Sequence, residues 1–191
     1  MSAPTLEILK VLARSGLLLK QDKHLPSVVT LLAGEALTKS WWSHPHSQLM
    51  YRVLTELADH PDVLLTKLLL GKDTFVHRSL WPAFLAVASA REPWQLRGLS
   101  GSARALLART ARAQAPVMSA GAPVRELLSR LLVHAAEIHT PEGRHQMAVA
   151  SWSSWAARAG ATPCGSLEEG RQALERASHA LGADHGALPW H

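Results

Sequence analysis

The stretch Val124-Arg-Glu-Leu-Leu-Ser-Arg-Leu131 runs into Leu132-Val-His-Ala-Ala-Glu-Ile-His139, then Thr140-Pro-Glu-Gly143, then Arg144-His-Gln-Met-Ala-Val-Ala-Ser-Trp152. Val124, Leu127, Leu128 and Leu131 recur at i, i+3, i+4 and i+7, so four apolar side chains share one helix face. The two runs that flank Thr140–Gly143 read as strands joined by a turn. Pro141 presets φ at the second turn position, and Gly143 supplies the left-handed residue that closes a short hairpin loop. The expectation is antiparallel pairing of residues 132–139 with 144–151, fed directly by the helix before them.

Upstream of that stretch, Ser100 or Ser102 caps a helix reaching about Gln114, with Leu106 and Leu107 facing inward. Ala115–Met118 reads as a short strand and Ser119–Pro123 as a turn. Downstream the chain turns at Gly160. Ser166-Leu-Glu-Glu169 has the pattern of a capping box and opens a helix to Leu181, after which Gly182–His191 is expected to be loosely held.

The first half repeats the order in longer form. A helix over Thr5–Ser15 stops at Gly16, a short apolar run covers Leu17–Lys20, and a second helix spans Pro26–Ala33 before Gly34. Ser40–Pro45 is a loop, with Ser43 as the expected N-cap of a helix over Pro45–Asp59. Asp62–Leu70 and Asp73–Arg78 read as a second hairpin about Gly71-Lys72, glycine taking the first position of a type II′ turn. The run Leu68–Leu70 leaves a continuous helix as the competing reading. A helix follows over Trp81–Ala90, and Arg91–Gly98 holds Pro and Gly without periodicity, which marks a boundary. The expected fold is mainly α with short β-hairpins (α+β), divided as 1–92, 93–160 and 161–191.

Length and composition bound the function. With 191 residues, 47% apolar and 18% charged, the chain is globular, not a disordered tail. The net charge of +5 favours anionic partners. The single cysteine, Cys164, excludes an internal disulfide and a thiolate-rich zinc site. Met1–Glu7 has no basic segment followed by an apolar run, and no apolar stretch approaches the ~18 residues of a membrane span. A cytoplasmic protein with no membrane partner is the expectation.

By this order of elements and its turn signals, residues 100–152 resemble a winged helix-turn-helix domain, and residues 5–80 resemble a more decorated one. The resemblance implies two tandem winged-helix-like units plus a C-terminal helix, each unit with a recognition helix for the major groove and a wing on the backbone. In the second unit it implies nucleic-acid contacts from Arg125, Ser129 and Arg130 on the helix, from Arg144 and His145 in the wing, and from Arg104 on the preceding helix, near Arg109 and Arg112. In the first it implies Arg52, with His44, His46 and Gln48, and Lys72, with Lys67, His77 and Arg78. Glu56, Asp59, Glu126 and Glu142 oppose such a footprint.

The function expected on this resemblance is a DNA-binding protein of regulatory or repair type, acting on duplex DNA without catalysis of its own. Two alternatives stand beside it. One is a protein–protein adaptor built on the same folds, with a protein partner or a second copy. The other is a DNA-processing enzyme such as a winged-helix DNA glycosylase, for which Gln21, Asp22 and Glu35 are the early polar candidates. Trp41-Trp42 fits a buried loop anchor, a wedge at an interface or a surface for stacking bases.

Catalytic signatures are absent. Gly71-Lys72-Asp73 lacks the upstream glycine and the Ser or Thr of a phosphate-binding loop, and Gly98-Leu-Ser-Gly-Ser102 fails the nucleophile-elbow spacing at its fifth residue. His134, His139 and His145 raise the question of a metal. A three-residue loop sets His139 across from His145, whereas a four-residue loop pairs His145 with Ile138. Neither register supplies a third ligand, so no metal and no cofactor is expected.

Overall fold

The computed structural model describes residues 1–37, 39–139 and 145–191. The chain divides into two compact units, residues 1–81 with 172–189 and 191, and residues 82–171 with Trp190. The fold is α+β, mainly helical, with two small antiparallel three-stranded sheets among the described residues.

In the first unit, α1 (Ala3–Ser15) buries Thr5, Ile8 and Leu12 along one face and stops at Gly16, whose φ of 76° turns the chain into β1 (Leu17–Leu19). Helix α2 (Val28–Ala33) starts later than Pro26. Ser27 caps it, its hydroxyl accepting the Thr30 amide at 3.2 Å, because Pro26 is still extended chain whose carbonyl accepts the Leu19 amide. Helix α3 (Ser47–Ala58) likewise begins beyond the expected cap. Ser43 sits in a 3₁₀ turn, Trp41–Ser43, and spends its hydroxyl on the Ser40 carbonyl. Met50, Val53, Leu54 and Leu57 turn the inner face of α3 onto Ile8, Leu12, Val28, Val29 and Phe75.

Strands β2 (Val63–Lys67) and β3 (Asp73–His77) pair antiparallel, and β1 joins the other side of β3, giving the order β1-β3-β2. This rules out a continuous helix through Leu70. The tip differs from a two-residue type II′ turn. Lys67 pairs with Asp73, which leaves five residues, Leu68–Lys72, in the loop. Leu68 and Leu69 are fully buried, so the loop has to fold inward over itself. Leu70 at φ 55° and Gly71 at φ 64° make that reversal. The buried Thr74 hydroxyl fixes it, accepting the Leu69 amide at 3.1 Å and donating to the Lys72 carbonyl at 3.0 Å. The tail is not loosely held: Ala183, Ala187 and Leu188 are buried, because a 3₁₀ turn over His185–Ala187 rolls the last two inward.

Beyond α4 (Trp81–Ala88), the second unit has a helical turn where a linker was expected. Its α5 (Pro93–Leu96) opens with a capping box between Glu92 and Gln95. Gln95 is fully buried, and its amide nitrogen donates to the Ala88 and Arg130 carbonyls, both at 3.2 Å. Ser100 caps α6 (Gly101–Arg112), as expected, with its hydroxyl accepting the Ala103 amide. Then come β4 (Val117–Ser119) and α7 (Ala122–Ser129), whose Val124 and Leu127 pack with Leu106, Val133 and Val149.

The central hairpin is present as β5 (His134–His139) and β6 (His145–Ala150), in register from His134↔Ala150 to His139↔His145. Strand β4 adds to β6, so the second sheet runs β4-β6-β5 and repeats the first, third, second order of the other unit. The expected turn at Thr140–Gly143, with Gly143 at positive φ, lies outside the described residues. The strand stops before Trp152. Ser151 caps α8 (Trp152–Ala159), its hydroxyl accepting the Ser154 amide, and Trp152 becomes the first residue of a helix. Its buried indole N–H donates to the Leu131 carbonyl at 2.7 Å, and its ring meets Phe84 edge-on. Leu131, at φ 52°, is the left-handed residue that turns α7 into β5. Last comes α9 (Leu167–Ala180), where Gly170 lies tight against Ala83 and Ala86 of α4.

Candidate nucleic-acid interface

The outward face of α3 carries Ser47, Gln48, Tyr51, Arg52 and Thr55, and with Trp42 and Glu56 they line an open groove of about 510 Å³. The spacing i, i+1, i+4, i+5, i+8 is the helical period opposite the buried stripe of Met50, Val53, Leu54 and Leu57. Trp41 is buried and Trp42 is 61% exposed, their rings stacked at 4.0 Å, so the pair acts both as a loop anchor and as a surface aromatic. Tyr51 stands 5.7 Å from Trp42.

Charge on this face is set from α1. Arg52 and Glu56 are four apart on one helix and would ordinarily pair. Instead one carboxylate oxygen of Glu56 accepts the Ser2 amide at 2.7 Å, the Thr5 hydroxyl at 2.6 Å and the Ser2 hydroxyl at 3.0 Å. The Thr5 hydroxyl, followed by the Ser2 amide, draws the Glu56 pKa down to about 2. Arg52 makes no ion pair among the described residues.

The hairpin of the same unit is basic but largely neutralised. Lys67 pairs with Asp73 at 2.7 Å, Lys20 approaches the same carboxylate at 3.7 Å, and Arg78 pairs with Asp62 at 2.9 Å. Lys72 reaches the nearly inaccessible carboxylate of Asp22 at 2.5 Å. Burial alone would raise the Asp22 pKa. The Lys72 bond and the His24 and Leu25 amides outweigh it and hold the group at about 2.

In the second unit the expected contact residues divide. Arg125 is exposed on α7 and Ser129 is exposed beside it, with its hydroxyl donating to the Glu126 carbonyl. Arg130 is drawn inward: its guanidinium donates to the carbonyls of Arg97 at 2.6 Å, Trp94 at 3.1 Å and Gln95 at 3.4 Å. Arg104 folds back on the Leu99 carbonyl through two nitrogens, at 2.7 and 2.9 Å. Glu126, which opposed the footprint in sequence, takes the Ser100 hydroxyl at 2.6 Å and the Ser100 amide at 2.9 Å, and these bonds lower its pKa. Arg144 and the side chain of His145 lie outside the described residues.

A longer signal runs through the sequence of the second unit. Between Glu92 and Glu126 there is no carboxylate, while Arg97, Arg104, Arg109, Arg112 and Arg125 all occur there. All five are exposed, and apart from Arg104 none makes a side-chain hydrogen bond or ion pair among the described residues. The second unit holds ten arginines against six glutamates, whereas the first holds ten cations against nine carboxylates. A scan for carboxylate-free runs would have found this stretch.

Nothing among the described residues gathers three metal-ligating side chains. His134 is instead a largely buried ring beside Trp152 and Trp155, both 5.9 Å away, and burial with help from Arg158 lowers its pKa to about 4. Of the polar residues kept for a cleft, Asp22 is committed to Lys72, and Glu35 is exposed. No helix among the described residues is long and apolar enough to cross a membrane. Comparison with protein-family models, with curated proteins and with solved structures gives no match.

Proposed function

We propose that this protein binds nucleic acid without catalysing a reaction on it, and that the exposed arginines of the second unit supply the phosphate contacts. The observation that carries the reading is the carboxylate-free stretch 93–125, with four exposed and unpaired guanidinium groups on and around α6 and α7. Arginine suits this role because its planar fork matches phosphate oxygens and stays charged at any working pH. The helix, strand, helix, hairpin order and the repeated sheet order also support the winged-helix reading of both units.

The test is a fluorescence anisotropy titration of labelled duplex DNA at two salt concentrations. Replacing both Arg109 and Arg112 by Ala is expected to weaken binding of unrelated sequences alike and to lower the salt slope by about two. Lys10→Ala, which removes an exposed partner of Glu7 in the first unit, serves as the control. Unchanged affinity and slope in the double variant would refute the reading.

The adaptor reading draws on Met118 and Ile138. They share the open face of the second sheet and are 41% and 38% exposed. If that face binds a second copy, Met118→Glu abolishes concentration-dependent association in sedimentation velocity.

A further inference from the structure

We infer that the α3 groove of the first unit is a stacking site for an unpaired nucleobase, with Arg52 taking an adjacent phosphate. The inference rests on the nucleic-acid reading above and adds the kind of strand this unit accepts.

Trp42 is exposed yet held. Its indole lies on the buried ring of Trp41 at 4.0 Å with the planes 25° apart, so little rotamer freedom remains to be lost on binding. Tyr51, 53% exposed, adds a second aromatic surface 5.7 Å away. Together they offer ring faces, and a planar π-ligand gains most by stacking there.

Charge then narrows the ligand. Glu56 keeps its negative charge but is held by Ser2 and Thr5 and forms no ion pair with Arg52, so the Arg52 guanidinium is open to a further anion. An aromatic ligand bearing a negative charge fits both features, and a nucleotide is such a ligand. Ser47, Gln48 and the Tyr51 hydroxyl make no side-chain hydrogen bond among the described residues and remain available to base edges.

A base inside an intact duplex shows its edges and hides its faces in the stack. A site built from ring faces therefore selects an unpaired nucleotide, as in a single-stranded extension, a gap or a bulge. The helix face expected to read a major groove is on this reading a binder of unstacked strand.

The experiment compares a labelled blunt duplex with the same duplex carrying a short single-stranded extension, using the whole chain. The wild-type protein is expected to bind the extended form about tenfold more tightly, the size expected of one or two stacked bases. Trp42→Ala binds both forms alike, at the wild-type affinity for the blunt duplex, and Trp42→Phe restores most of the preference. Arg52→Ala lowers the salt slope for the extended form by about one and leaves the blunt form unchanged. Thermal melts of each variant exclude unfolding, which exposure of Trp42 already disfavours. A wild-type protein without preference, or a preference that survives Trp42→Ala, overturns the inference. If the Arg109 and Arg112 double variant still weakens binding to both forms in that case, the nucleic-acid reading stands and only the stacking site falls. Failure of the wild-type chain to bind either form overturns both.

Discussion

Gly170→Ala sets two physical effects against each other. Gly170 lies inside α9, where alanine in place of glycine is worth about 1 kcal/mol of helix propensity in an open position. It is not in an open position. An added Cβ would lie 2.7 Å from the Ala83 carbonyl oxygen and 3.0 Å from the Ala86 Cβ. A backbone oxygen on a neighbouring helix has no rotamer to escape into, so α4 and α9 must separate. Overpacking of this kind costs about 1–3 kcal/mol, and the looser packing on either side of the wedge adds to it. After the propensity gain, the expected net destabilisation is about 1–2 kcal/mol. In a chain of this size that lowers Tm by about 3–6 °C. Urea and thermal denaturation followed by circular dichroism read the change. Gly101→Ala is the companion variant. Its Cβ meets nothing within 4 Å, and it opens α6 at ordinary φ, so its stability equals or exceeds wild type. A Gly170→Ala protein as stable as wild type would refute the close approach of the two helices.

Arg130→Ala is expected to cost about 1–2 kcal/mol, since it removes charge-assisted hydrogen bonds to three carbonyls, while sequence preference on DNA stays unchanged. A shifted preference with unchanged stability would return Arg130 to base reading. His134 gives an acid-side signature. Its folded pKa of about 4 lies below the unfolded value near 6.5, so the unfolded chain binds the proton first; stability is complete above pH 6.5 and falls as pH drops toward 4, by up to about 3 kcal/mol. The difference in urea midpoint between pH 7 and pH 4.5 should shrink in His134→Leu, and an unaltered difference would show that the ring is not held neutral. Lys72→Ala strands the Asp22 carboxylate and should destabilise by about 1–2 kcal/mol. Because Asp22 is held at about 2, its own contribution is present above pH 4 and fades as pH falls through the range 4 to 2; Lys72→Ala removes a main cause of the lowered pKa, so this acid-side loss shrinks, and an unchanged pH dependence would exclude the pair as its cause.

The elements were legible in the sequence where one local device determines them. Ser100 before an Ala- and Leu-rich run, Gly16 and Gly34 after apolar periods, and the paired runs about residue 141 each mark their element without help from distant residues. Errors came where a tertiary demand overrode a local one. Gly71-Lys72 has the letters of a tight turn, but burial of Leu68 and Leu69 requires a longer loop, and Leu70 accepts left-handed strain to make it. Pro26 has the form of a helix start, but it belongs to extended chain beside β1. The site was legible as a helix face and no further. Periodicity puts Arg104, Arg125 and Arg130 outward alike, and only the fold brings the Arg97 carbonyl to Arg130 while leaving Arg125 in water. Tyr51 beside Trp42 follows from the 3₁₀ turn ahead of α3, which has no signature in the letters.

The grip of Ser2 and Thr5 on Glu56 separates the electrical character of the α3 groove from its shape. A Thr5→Val change alters no atom that lines the groove, yet it takes away the shortest of the hydrogen bonds that hold the carboxylate and frees it to swing toward Arg52. Arg52 would then be paired inside the groove, with the net charge and the aromatic walls unchanged. On the stacking reading, a change at position 5 would lower affinity for anions in one mutational step and leave the ring faces in place. On that reading, affinity and selectivity would reside at different addresses in the chain, and selection could act on either one without disturbing the other.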